Sequence, residues 1–184
     1  RFSTGGTAQG SFYRSAADRK GQPEGIGVDP RDGSIYVSDH SRGNIGYIAK
    51  FSATGQFLRE YSISTRYQAW LTVDPDGYLY VSDSHSWNTA GDPPQVRKFR
   101  LDPNSSAATQ VATFGTYGSG PGQIRWITGV AVDASTRRVY VADTAAKRVV
   151  VYNPDGSTYL TIESTVFTGD LRGVAVNSRT RQLY

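Results

Sequence analysis

The sequence predicts an all-β protein assembled from one repeated, four-stranded antiparallel unit, and three observations carry that expectation. The stretch Thr128 to Gly156, TGVAVDASTRRVYVADTAAKRVVVYNPDG, alternates at period two. It reads as three short strands, Val130–Val132, Val139–Val141 and Val149–Tyr152, with β-branched and aromatic residues on both faces of the last two. Turn formers separate them: Asp133-Ala-Ser-Thr, Thr144-Ala-Ala-Lys, then Asn153-Pro-Asp-Gly. Finally, the unit recurs. Asp29 in GIGVDP, Asp74 in WLTVDP, Asp133 in GVAVDA and Asn177 in GVAVNS end the first strand of successive copies, 45, 59 and 44 positions apart. The second strand returns as IYVSD, LYVSD, VYVAD and a final LY. A repeat in the forties with several strands per copy is the signature of a β-propeller.

Taken in order, the chain of 184 residues reads as one propeller segment, 1–184. Blade one is expected over about 23–62, with Phe51 on its third strand and Gln56 to Tyr61 as its fourth. Blade two spans about 68–114, with Gln95 to Phe99 as its third strand, and blade three about 126–163. A fourth begins near Asp170 and reaches only its second strand by Tyr184. Three blades and part of a fourth, with no methionine anywhere, are expected to be a fragment of a ring, six blades being the expected total. Ile26, Val28, Ile35 and Val37 of blade one are as apolar as their counterparts in blade three, so nothing resembles a cap. The remaining blades are expected from the same chain or from another copy.

Insertions beyond the minimal repeat all fall in one type of connection. The link STGGTAQGSFYRSAADRKGQP, the loop HSRGN from His40 and the loop SHSWNTAGDPP from Ser84 join strand two to strand three or one blade to the next. In an antiparallel blade those connections share one rim, and loops on a rigid scaffold carry function. Candidate binding residues therefore gather there: Glu24, His40, Trp70, His85, Trp87 and Arg172. Glu24, Trp70 and Arg172 align with Gly129, or one position before it, at the mouth of the central channel. An indole there reads first as a packing partner for a neighbouring blade and second as a stacking surface. The two charges either bind ligand or solvate the axis. The opposite rim holds the DPRDG, DPDG and NPDG turns, whose carboxylates read as turn chemistry rather than calcium ligands.

Several chemistries are missing. With no cysteine there is no thiol chemistry, and no nucleophile elbow, P-loop or dinucleotide fingerprint occurs. The glycine-rich GTYGSGPG from Gly115 leads into a strand, so no helix N-terminus backs it as a phosphate cradle. Two histidines at non-equivalent repeat positions, beside Asp39 and Asp83, fall short of a metal-ligand set, and no cofactor is expected. No apolar run is long enough to insert into a membrane. The net charge of +4 is interspersed; Arg42, Arg66, Arg97, Arg125, Lys147 and Arg148, with Tyr67 and Trp87 for stacking, are the residues an RNA partner would use.

The pattern FGTYGSGPGQ-x4-TGVAVD-x6-YVADT-x3-RV-x-VY, Phe114 to Tyr152, resembles the NHL-repeat family of β-propellers, and the likeness extends over nearly the whole chain. It implies a binding or scaffold module presenting a loop-rich rim to a protein, a glycan or another polymer, in an extracellular or cell-surface setting. The alternative it implies is a metal-assisted lyase or hydrolase, with its metal on the propeller axis; His40 and His85 do not map onto that arrangement.

Overall fold

The computed structural model describes residues 22–40, 46–63, 65, 68–84, 93–163, 165, 167 and 169–184; the side chains of Gln22, His40, Gln68 and Ala69 lie outside that description. Blade one is the antiparallel meander β1 (Gln22–Val28), β2 (Ile35–His40), β3 (Gly46–Phe51) and β4 (Phe57–Ile63). Blade two is β5 (Gln68–Val73), β6 (Leu79–Asp83), β7 (Gln95–Leu101) and β8 (Ala108–Phe114). A short parallel pair, β9 (Thr116–Tyr117) and β10 (Gln123–Ile124), ties down the glycine-rich link. Blade three is β11 (Ile127–Val132), β12 (Val139–Asp143), β13 (Arg148–Tyr152) and β14 (Thr158–Glu163), and β15 (Val176–Asn177) pairs with β16 (Gln182–Leu183). Thr144–Ala146 is one turn of 3-10 helix where the sequence reads as a plain turn. Among the described residues no helix is long and apolar enough to cross a membrane.

The recurring Asp or Asn has a physical reason. Its side-chain oxygen accepts the backbone N–H two residues on: Arg31 to Asp29 at 3.0 Å, Asp76 to Asp74 at 2.9 Å, Ser135 to Asp133 at 2.8 Å and Arg179 to Asn177 at 3.0 Å. Each is an Asx turn that reverses the chain between the first two strands. Side chains share the load: Arg31 also binds the Asp29 carboxylate, Tyr80 the Asp74 carboxylate, and the Asp76 carboxylate is taken by Arg137.

Irregularities repeat as faithfully as strands. Register slips in the innermost pair between Pro23 and Ile26, Gln68 and Leu71, and Ile127 and Gly129. It slips in the outermost pair at Phe51, Phe99 and Tyr152. A bulge at a fixed position bends and twists the strand, and here it gives every blade the same shape. Backbones meet closely at the inner strands: a Cβ on Gly129 would come within 2.9 Å of the Gly173 Cα. The core lies between blades rather than within them. Tyr36, Ile48 and Tyr61 of blade one face Leu71, Leu79 and Val81 of blade two. Tyr80, Val96 and Phe114 of blade two face Val130, Val139 and Val141 of blade three. The rings of Tyr80, Phe114 and Tyr152 run through the second seam at centroid spacings of 5.8 and 6.0 Å.

Candidate functional site

The rim from which the inner strands start is organised by buried polar side chains that each hold a backbone amide. In blade one the Ser38 hydroxyl accepts Gly25 N–H at 2.8 Å, and in blade two Ser82 accepts Trp70 N–H at 2.9 Å. Both serines are fully buried. In blade three Ala142 takes that position, and Asp143 one residue later does the holding: its Oδ1 accepts the amides of Arg125 and Trp126 at 3.2 and 3.1 Å. Its Oδ2 receives Arg148 Nε at 3.3 Å. The same guanidinium donates to the carbonyls of Ser119 at 3.0 Å and Gln123 at 2.9 Å, anchoring the interblade link. Ile127 N–H reaches back to Ser84 Oγ of blade two at 3.3 Å. The hydroxyls of Thr128 and Thr144 bond the Leu171 carbonyl of the next unit. A shallow depression of about 440 Å³ opens beside this network, lined by Lys147, Arg148 and Glu163.

Two half-exposed indoles stand on this framework. Trp70, on β5, is 38% exposed, and Trp126, directly before β11, is 47% exposed. Trp126 was not legible as a site residue, although its place just ahead of an inner strand puts it on the same rim. Glu24, on β1, and Arg172 are exposed, and Arg172 pairs loosely with Asp170 at 3.3 Å. His40 is the last residue of β2, opposite Gln22 and Gly46 in register; His85 and Trp87 lie outside the described residues. Among the described residues no three His, Asp or Glu side chains group as metal ligands.

The basic rim read from sequence is smaller than its residue list. Arg148 is 7% exposed at its side chain and Arg97 is 16%; they pair with Asp143 at 3.3 Å and Asp83 at 2.7 Å. Both are structural cations; Arg125 and Lys147 are exposed, while Arg42, Arg66 and Tyr67 lie outside the described residues.

Residues 125–152, from the held amide of Arg125 to Tyr152 at the end of β13, match the family model of the NHL repeat. The chain carries an NHL repeat. Solved structures agree on the propeller around that repeat. The β-propeller domain of Cps50 (Swd1) from Myceliophteria thermophila superposes with a TM-score of 0.61 at 13% identity, over 86% of this chain and 48% of that one. The Dos1 propeller gives 0.60 at 8% identity, over 88% and 38%. A chain of a nidogen/laminin complex gives 0.56 at 14% identity, over 88% and 70%. Identities this low establish the fold alone, and the chain spans about half or less of the length of the first two. No curated protein matches its sequence significantly.

Proposed function

We propose that this NHL-type propeller segment is a protein-binding scaffold, and that its partner docks on the rim around Trp70 and Trp126. The observation that carries the reading is the pairing of exposed indole with locked backbone. Each tryptophan is more than a third exposed, while its amide is held by a fully buried Ser82 or Asp143. Large aromatic side chains that are already positioned lose little conformational freedom on docking, and tryptophan is enriched among residues that dominate interface energies. Exposed Glu24 and Arg172 would supply the polar surround. The nidogen/laminin structure, itself a complex of two proteins, is compatible with a propeller used in this way.

The test is affinity capture with the wild-type chain, the double variant Trp70→Ala/Trp126→Ala, and the opposite-rim variant Asp155→Asn, followed by purified binding of whatever is retained. A protein lost only with the double variant, and bound directly when purified, supports the reading. Equal capture by all three overturns it, and retention of a glycan instead of a protein overturns the partner class.

A further inference from the structure

The opposite rim, which reads from sequence as turns alone, contains a cavity of about 260 Å³ in the seam between blades one and two. Its origin lies in two copies of one constellation wired differently. In blade two the Asp74 carboxylate receives the Tyr80 hydroxyl at 3.1 Å and lies 3.8 Å from Lys98 Nζ. Lys98 in turn sits over the rings of Tyr78 and Tyr80, at 4.1 and 5.0 Å. Blade one has the same three residue types at the same repeat positions, Asp29, Tyr36 and Lys50. There, Arg31 takes the carboxylate instead, with Nε to Oδ1 at 3.0 Å and Nη2 to Oδ2 at 2.7 Å. Its remaining nitrogen crosses the seam to the Asp76 carbonyl at 3.1 Å.

That exchange leaves Lys50 without a carboxylate. Among the described residues its ammonium sits over the Tyr36 ring at 5.3 Å and reaches Asp29 only through longer-range attraction, and Arg100 makes no ion pair. Both line the cavity, with Arg31, Tyr36, Tyr61 and Tyr78. Asp76 lines it too, but Arg137 of blade three holds that carboxylate at 2.7 and 3.2 Å. Arg31 is likewise balanced by Asp29. Two positive charges therefore remain outside any direct ion pair, beside three aromatic rings. Burial, then the Asp29 and Asp32 charges, push the Tyr36 phenol up to about 12, so it stays protonated and able to donate.

We propose that this seam binds a phosphate monoester, its dianionic phosphate between Lys50 and Arg100 and its organic group against the tyrosine rings. A phosphate monoester carries close to two negative charges near neutral pH and offers three acceptor oxygens, matching two free cations in number. Guanidinium and ammonium donors make short, charge-assisted bonds to such oxygens. A carboxylate or a sulfate ester brings one charge and leaves a cation unmatched. The site is on the rim away from Trp70 and Trp126, so its failure would leave the protein-docking reading untouched.

Phenyl phosphate, inorganic phosphate, phenyl sulfate and benzoate, titrated into the full chain and followed through the amide resonances of Tyr36, Tyr61 and Tyr78, test the proposal. Expected is saturable binding of phenyl phosphate, displaced by excess inorganic phosphate and weakened at least about tenfold by Lys50→Met or by Arg100→Gln, a change at an exposed side chain. Affinity should also fall as pH drops below about 6, where the ester takes up its second proton. Three results would overturn it: no saturable shift with phenyl phosphate, equal binding of phenyl sulfate or benzoate, or affinity unchanged in both variants. Saturable binding of inorganic phosphate but not of phenyl phosphate would overturn the ester assignment.

Discussion

The guanidinium of Arg31 fills the space where Gly77, one blade away, lacks a side chain. A Cβ at position 77 would collide with that guanidinium, and the Gly77 backbone is left-handed at φ 84°. Gly77→Ala should therefore lose about 1–3 kcal/mol, combining strain at a positive φ with displacement of Arg31 from Asp29 and the Asp76 carbonyl. Urea denaturation measures it; an unchanged midpoint would show that the seam yields without cost.

Arg148→Met should be more severe. It strips the partner from Asp143, whose side chain is fully buried, and releases the link carbonyls of Ser119 and Gln123. Breaking a buried pair by removing one member typically costs about 3–5 kcal/mol, because the surviving charge stays desolvated. A loss below about 1 kcal/mol would mean that water replaces the guanidinium freely.

Acid should loosen the turn of blade three before neutral chemistry touches it. Burial raises the Asp133 carboxyl, but the amide and hydroxyl of Ser135, with the hydroxyls of Ser178 and Thr136, outweigh it and bring it to about 2 from 3.8. A depressed folded value means the stabilisation is present above pH 3.8 and is lost as pH falls towards 2. Asp133→Asn should flatten stability against pH across that window, as read from urea midpoints. An identical slope in both proteins would remove Asp133 as the cause.

Among the described residues nothing covers the outer face of blade one, and that face should drive self-association of this segment. Ile26 and Val28 are 60% and 56% exposed, whereas their counterparts Leu71, Val73 and Val130 are 5%, 8% and 7% exposed under a neighbouring blade. Sedimentation at rising concentration should show pairing of copies through this face, reversed by Ile26→Lys/Val28→Lys. A monodisperse wild-type monomer at every concentration would sink the expectation.

The fold was legible because one local rule repeats: a side-chain oxygen at Asp29, Asp74, Asp133 and Asn177 captures the amide two residues later, and alternation does the rest. Such rules act within a few residues, where sequence speaks directly. The choice of partner for a carboxylate does not. Asp29 and Asp74 look identical in their repeats, yet one bonds Arg31 and the other Tyr80, and room for Arg31 is made by a glycine in the next blade. Trp126 was missed for a related reason: its exposure depends on the path of the link held by Asp143. A charge count, likewise, cannot see that Asp83 and Asp143 already hold Arg97 and Arg148.

Because each cluster of core side chains is owned jointly by two blades, no blade can open alone. Freeing the amides of β6 and β7 requires water to enter both the seam with Leu71 and Leu79 and the seam with Tyr80 and Phe114. Deuterium should therefore enter as a gradient along the chain, slowest in β6, β7, β12 and β13, fastest in β15 and β16. The resistance of a strand to exchange is then set by its position in the stack, not by the strength of its own hydrogen-bond ladder.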